Sequence, residues 1–125
     1  MREILFRAWD PLRNKMWKYA VPTFDGKINV SDREDGAFNE FINGELIEWT
    51  GLVDCKGNKI FEGDYLQGNK GESDKWLVIF NDKLSKFEAK FVGRKDSCIE
   101  NKELYFVDRA FIYDNRFQNP ELIKD

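Results

Sequence analysis

The sequence predicts a mainly β protein, built as a small curled antiparallel sheet or a partly open, SH3-like barrel. An N-terminal β-hairpin lobe precedes this sheet, and the chain carries at most one or two short helices. Aromatic residues make up 15% of the 125 residues, and aromatic side chains favour pleated, half-buried surfaces. Short apolar runs alternate with turns rich in Gly, Asn and Asp, which is typical of a small sandwich or barrel.

The first third of the chain predicts hairpins. Glu3 to Trp9 alternates weakly between two faces, as a strand does, and the cluster from Asp10 to Lys15 predicts the turn after it. A second strand begins at Met16 and completes a terminal hairpin. The elements expected next are an Asp25-Gly26 hairpin turn, a short strand at Ile28 and Val30, and either a strand or one helical turn over residues 37–42.

The centre of the chain, from Glu48 to Leu66, predicts a strand end, a polar turn and the start of the next strand. Asp54 to Asn58 supplies residues that form turns. Gly63 interrupts the apolar run that follows. This glycine predicts a bulge, or a close approach of another segment, where a side chain is not tolerated.

The second half predicts two strong strands. Trp76 to Phe80 is a continuous apolar run, which favours a strand buried on both faces. In the following run, Phe87 to Phe91, aromatic and small residues alternate with charged ones, which predicts one buried and one wet face. Further strands are expected at Leu104–Val107 and Ala110–Tyr113, with a helical turn as the alternative over Glu103–Arg109, and the C-terminal tail is expected to dock.

Composition and charge argue against several classes of function. Lys and Arg number 20 against 23 Asp and Glu, a net charge of -3, whereas a dedicated DNA-binding domain usually carries a clear basic excess. The absence of histidine removes the commonest general base and the commonest zinc ligand. Cys55 and Cys98 match no metal or redox spacing and are predicted to be reduced thiols. No cofactor is expected.

The N-terminal residues contain no apolar stretch of the kind found in signal peptides. No window of the sequence approaches the ~18 apolar residues that a membrane-spanning helix needs. We therefore expect a cytoplasmic protein of the bacterial host cell that does not span a membrane.

Three motifs, distributed over essentially the whole chain, carry a resemblance. Met1-Arg-Glu-Ile-Leu-Phe-Arg-Ala-Trp-Asp10 opens the sequence, Trp49-Thr-Gly-Leu-Val-Asp54 with Ile60-Phe-Glu-Gly-Asp64 lies at its centre, and Asn115 to Leu122 closes it. Their order and spacing resemble the YopX family of phage and prophage proteins. Two positions depart from the family pattern: Asp114 stands where a Gly is frequent, and Tyr65 stands where a small aliphatic residue is common.

The resemblance implies a predominantly β protein that is encoded by phages or bacterial prophages and has no established biochemical activity. It supplies no catalytic residues that could be carried over to this chain. We expect a single YopX-like domain over residues 1–125. Within it, an N-terminal lobe of residues 1–47 and a barrel-like C-terminal lobe of residues 48–125 are distinguished.

Glu62 and Asp64 form the first constellation that could carry chemistry. They flank Gly63, and residues two apart on a strand share a face, so their carboxylates could converge for acid–base work or cation binding. The favoured interpretation is plainer. It has Asp64 accepting hydrogen bonds from a turn backbone and Glu62 solvated.

A basic strip is the second constellation, and its members are Lys86, Lys90, Arg94 and Lys95. With the ring of Trp76 nearby, it could bind single-stranded nucleic acid, because such sites combine cations with stacking aromatics. Glu88 lies among these lysines and neutralises part of the strip. An ordinary solvated face is therefore the favoured interpretation.

The third feature is the excess of aromatic residues. Trp9, Trp17, Trp49 and Trp76 exceed what a small core readily hides. The plainer interpretation, and the favoured one for the aromatics themselves, is an aromatic-rich β core. Aromatics are, however, also enriched at the cores of protein interfaces. We therefore expect a non-enzymatic protein-interaction module that binds a protein partner, with itself as a candidate partner in a homo-oligomer. The alternative is a small β-barrel that binds nucleic acid.

Overall fold

A computed structural model describes residues 5–33, 38, 40–68, 75–92 and 103–120. Within these ranges the chain forms eleven strands and one short 3-10 helix. The strands are β1 (Phe6–Asp10), β2 (Lys15–Trp17), β3 (Tyr19–Pro22), β4 (Ile28–Ser31), β5 (Glu40–Ile42), β6 (Glu45–Val53), β7 (Lys59–Phe61), β8 (Asp64–Gly68), β9 (Lys75–Asn81), β10 (Lys86–Val92) and β11 (Ala110–Asn115), and the 3-10 helix spans Leu104–Arg109. The predicted mainly β fold with a curled antiparallel sheet is confirmed.

The chain divides into two compact units, Met1–Trp49 and Thr50–Asp125. In the first unit, β1 pairs antiparallel with β2 and, on its other side, with β6. A second sheet has the order β3-β4-β5. The terminal hairpin and the strand at Ile28 are therefore present as predicted, and residues 40–42 form a strand rather than a helical turn.

The terminal hairpin turns at a buried carboxylate. Asp10 is 1% exposed and accepts hydrogen bonds from the backbone N–H of Leu12 at 3.1 Å, from Nη1 of Arg13 at 2.9 Å and from the indole N–H of Trp17 at 3.4 Å. Because each donor lies within seven residues, the turn satisfies this charge locally. The core of the unit contains Ala8, Ala20, Ile28, Val30 and Ile42, with Phe6, Trp17 and Leu46 packed against it.

The second unit contains an antiparallel sheet of order β10-β9-β8-β11. Apolar side chains cover it on both faces. One cluster contains Ile60, Leu66, Trp76, Val78, Ala89, Leu104, Phe106, Val107 and Ala110, and another contains Tyr65, Leu77 and Val92. The first half of β9 is therefore buried on both faces, as the continuous apolar run predicts, whereas Phe80 at its far end is 38% exposed.

The prediction that Glu88 lies on a wet face is wrong. Glu88 is 7% exposed and accepts a hydrogen bond from Nδ2 of Asn81 at 2.7 Å. Glu88 lies on the face of the sheet that carries the cluster of Tyr65, Leu77 and Val92. It is buried there beside Ile79, its neighbour on β9. Alternation along one strand does not reveal that a sheet has a second buried face.

Two element assignments in the second unit differ from the expectation that the sequence favoured. The apolar run from Phe61 to Leu66 is interrupted by a turn at residues 62–63 that separates β7 from β8. The irregularity in pairing lies instead in β11, between Ile112 and Asp114. At Leu104–Val107 the favoured strand is absent and the alternative, a helical turn over Glu103–Arg109, is observed as the 3-10 helix, which contributes three side chains to the larger core.

The described tryptophans are at least partly buried within the chain. Trp76 is 7% exposed, and Trp9, Trp17 and Trp49 are intermediate. Among the residues that the structure describes, the large apolar side chains that are exposed are Leu12, Val21, Phe24, Leu52, Val53, Phe80 and Leu84. Trp76 therefore belongs to the core of the second unit and Trp17 packs against the core of the first, so the exposed apolar surface of the described residues comes from other side chains.

Candidate functional site

The central motif contacts the C-terminal part of the chain at two junctions in the second unit, and the first is Asp54, whose partners include Ile112 of β11. This carboxylate is 4% exposed. Its Oδ1 accepts from the backbone N–H groups of Lys56 and Asn58, both at 2.9 Å, while Oδ2 accepts from the N–H of Ile112 at 3.0 Å. Burial by itself would raise the pKa of Asp54, but these backbone hydrogen bonds outweigh it and hold the pKa below its ordinary value.

The second junction surrounds Gly63. Its backbone N–H donates to the carbonyl of Val78 and its carbonyl accepts from the N–H of Arg116, each at 2.8 Å. Oε1 of Glu62 lies 3.1 Å from Nη2 of Arg116. The ring of Phe117 covers the glycine itself, as the predicted close approach requires.

The carboxylates singled out by the sequence therefore have structural partners. Glu62 pairs with Arg116, and Asp64, which is 1% exposed, accepts from the backbone N–H of Phe61 at 2.8 Å. Asp64 follows the predicted role, whereas the expected solvated Glu62 is a half-buried ion-pair partner. The bond to Asp64 holds the turn between β7 and β8, and the bond to Glu62 joins that turn to the segment after β11. The two carboxylates therefore have different partners and do not converge on one ligand.

An open groove of about 360 Å³ lies elsewhere in the same unit. It is lined by Thr50, Leu52, Lys86, Phe87, Glu103 and Leu104. We call this surface the apolar groove. Leu52 is 39% exposed, and the exposed ring of Phe80 extends the apolar surface because it packs edge-on against Phe87, with the ring centroids 5.1 Å apart.

An ion pair forms part of the rim of the apolar groove. Nζ of Lys86 lies 3.0 Å from Oε1 of Glu103 and 4.0 Å from Oε2 of Glu88. The hydrogen bond to Glu103 is the main reason that the pKa of Lys86 is raised above its ordinary value. The groove thus combines an apolar floor with a charged margin, which is the general anatomy of a protein interface.

The structure separates the predicted basic strip from its expected aromatic partner. Lys86 is engaged by Glu103, and Lys90 is exposed on the same strand. Trp76 is buried, with its ring against Phe91 and Phe106, so it offers no surface for a stacked base. Arg94 and Lys95 lie outside the described residues.

Sequence reasoning missed the members of the apolar groove other than Lys86. Phe87 was expected on the buried face of its strand, and nothing in the sequence around Leu52 or Glu103 marks these residues as neighbours in space. The available signal was the end of the apolar run in β9, where Phe80 comes shortly before a polar turn and is 38% exposed.

Two further findings concern other kinds of site. Within residues 5–33, 38, 40–68, 75–92 and 103–120, no group of three or more His, Cys, Asp or Glu side chains is placed to hold a metal ion. No helix in these same ranges is long and apolar enough to cross a membrane. Cys55 is exposed and free, whereas Cys98 lies outside the described ranges.

Comparison with known proteins gives a family and a fold. The family model described as YopX protein matches residues 5–124. The crystal structure of protein EF1440 from Enterococcus faecalis is similar, with a TM-score of 0.69 and 22% sequence identity, covering 99% of this chain and 100% of that one. At this identity the likeness concerns the fold. No curated protein matches the chain.

Proposed function

This chain belongs to the YopX protein family, and from that premise we propose that it is a non-catalytic protein-interaction module. We propose further that it is encoded by a phage or prophage and acts in the cytoplasm of the bacterial host. The single observation that carries the proposed role is the apolar groove, where Leu52 and Phe87 are flanked by the Lys86–Glu103 ion pair. Contiguous apolar surface with a polar rim is the arrangement that marks contact sites, and the apolar groove has this arrangement on a small scale.

The commitments of the acidic residues support a non-catalytic role. A general base or acid must reach a substrate, but Asp54 is occupied by three backbone N–H groups. Asp64 and Glu62 are engaged by a turn and by Arg116. Asp54 and Asp64 hold turns of the central motif, and Glu62 connects this motif to Arg116 of the C-terminal one.

The apolar groove fits a protein chain better than a nucleic acid. Nucleic acid needs cations available to phosphates and aromatic faces available to bases. Here two carboxylates lie within 4.0 Å of the Lys86 ammonium group and compete with a phosphate for it. The aromatic ring at the groove, Phe87, is half-buried and packs against Phe80 rather than facing a base. An apolar side chain from another protein would instead replace water over Leu52 and Phe87.

The test is capture of host proteins from infected cells, treated with nuclease, by tagged wild-type protein and two matched variants. Leu52→Glu places a charge in the apolar groove. Leu12→Glu makes the same change at a side chain that is 88% exposed in the other unit. A partner retained by wild type and Leu12→Glu but lost by Leu52→Glu supports the proposal, provided that all three proteins melt alike.

Equal capture by the two variants would remove the apolar groove from the proposed function. Salt separates the alternative role from the proposed one. Binding driven by phosphate contacts weakens steeply as salt rises, whereas an apolar contact does not. The capture is therefore repeated without nuclease. Binding that is seen only in the untreated sample and is lost at moderate salt would favour the nucleic-acid alternative.

A further inference from the structure

Strand β10 stands at one end of the β10-β9-β8-β11 sheet. Among the residues that the structure describes, no strand pairs with its outer side. A seven-residue edge strand (Lys86–Val92) presents backbone groups that can template another strand. The strand also contributes Lys86 and Phe87 to the apolar groove, so the edge and the groove are continuous.

The order of charges along this strand is complementary to itself. If two copies of β10 pair antiparallel with Ala89 opposite Ala89, then Glu88 of each copy lies opposite Lys90 of the other. Centring the pair on Glu88 would place Glu88 against Glu88 and Lys86 against Lys90. Opposite charges in directly facing positions stabilise strand pairing and like charges oppose it, so charge selects the register centred on Ala89.

The apolar residues agree with the same register. Pairing about Ala89 places Phe87 of each copy opposite Phe91 of the other, which gives two equivalent aromatic pairs. Both rings are half-buried and pack against the larger core of their own chain. Aromatic pairs in facing positions add to sheet stability, and in this register the two sheets would present equivalent faces on each side.

Lysines on an edge strand often serve to block pairing. In β10 their effect depends on register, because Glu88 lies between Lys86 and Lys90. The lysines repel a partner strand in the registers centred on Glu88 or Lys90, where like charges face each other. They attract a partner strand in the register centred on Ala89.

We infer that this chain forms a twofold homodimer in which the outer edges of two β10 strands pair antiparallel about Ala89. This inference deepens the proposed function, because it names a second copy as the partner at the edge that adjoins the apolar groove. Closed twofold dimers are the commonest homo-oligomers. A stable contact of this kind buries at least ~1,000 Å² in total.

The experiment measures mass by sedimentation equilibrium over a range of micromolar concentrations. Wild-type protein is expected to shift from monomer to dimer. Lys90→Glu should weaken the dimer at least about tenfold, since it turns two attractive cross-strand pairs into repulsive ones. The matched control Lys83→Glu, in the turn before β10, should leave the dissociation constant unchanged. The double variant Glu88→Lys with Lys90→Glu restores both pairs and should recover most of the affinity.

Glu88 is buried, so the double variant can fail to fold, and hydrogen exchange on the wild-type protein supplies a second measurement. Amides of residues 86–92 should exchange more slowly at dimer-forming concentrations. A wild-type monomer at every concentration overturns the inference, as does a dimer with unchanged exchange in β10 or with equal loss in Lys83→Glu. The two proposals fail separately: a dimer without groove-dependent capture removes only the proposed function, and groove-dependent capture by a monomer removes only this inference.

Discussion

Gly63 lies directly beneath the ring of Phe117. A Cβ built on Gly63 would overlap Cε2 of that ring and lie 3.1 Å from Cζ. The glycine has a φ of +89°, a conformation that residues with a side chain rarely adopt. Since Gly63 belongs to the central motif and Phe117 to the C-terminal one, this contact is where two motifs far apart in sequence become one structural unit.

Gly63→Ala should therefore be strongly destabilising. The substitution meets both the positive φ and the ring of Phe117, and overpacking typically costs about 1–3 kcal/mol in addition to the backbone strain. Chemical denaturation measures the free energy of unfolding. The matched control is Gly57→Ala, because Gly57 has a φ of +82° but nothing within 4 Å of its added Cβ. Equal losses in the two variants would show that Phe117 moves aside at no cost.

Asp54→Asn should lower the free energy of unfolding by about 2 kcal/mol. Both oxygens of Asp54 accept hydrogen bonds from backbone N–H groups. In the Asp54→Asn variant the amide oxygen is a weaker acceptor than a carboxylate oxygen, and the amide nitrogen, which is a donor, faces another donor and leaves it without an acceptor. Asp32→Asn is the control, since Asp32 is exposed and has Lys15 as its ion-pair partner. A change no larger than the control's would contradict the role given to Asp54.

The same carboxylate gives a pH dependence with a definite sign. The pKa of Asp54 is lowered in the folded protein, so its contribution is complete above the unfolded value of about 3.9 and is lost as the pH falls through the folded pKa. Wild-type stability should therefore fall more steeply than that of Asp54→Asn below about pH 4. Parallel acid denaturation curves for the two proteins would contradict this prediction.

Glu62 and Arg116 should show a measurable coupling energy in a double-mutant cycle of alanine substitutions. Their side chains are 26% and 27% exposed, so the pair is less screened than a fully exposed one, and a coupling of about 0.5–1 kcal/mol is expected. The cycle also subtracts the contact of Arg116 with the ring of Phe117. The pair Lys15–Asp32, with side chains 39% and 45% exposed, is the control and should couple less.

Cys55 should react rapidly with an alkylating reagent in the native protein, because it is exposed and free and lies in the polar turn held by Asp54. After denaturation without reductant, mass spectrometry should find both Cys55 and Cys98 modified. A mass that corresponds to a Cys55–Cys98 disulfide would contradict the prediction that both thiols are reduced.

Local residue patterns predicted most of the strands and turns correctly. The Asp25-Gly26 turn, the pair of strands β9 and β10 with the short turn between them, and the turn that begins at Asp54 each depend on residues close in sequence. The constraint at Gly63 was also predicted, since a glycine inside an apolar run marks a position where the backbone has special needs. The family resemblance, carried by motifs, was confirmed over residues 5–124.

Tertiary structure alone decided which segments oppose one another. The partner of Gly63 is a ring 54 residues away, as is the cation that neutralises Glu62, and no local pattern specifies such a pairing. Glu88 was expected on a wet face because the alternation of β10 describes one strand, whereas its burial depends on what covers the other side of the sheet. The apolar groove also depends on tertiary structure, because Leu52, Phe87 and Leu104 come from three separate elements. How far each side chain is exposed depends on how closely those elements pack against one another. Sequence determines the conformation that each segment prefers, because those preferences are short-range, and burial is decided only when distant segments share one core.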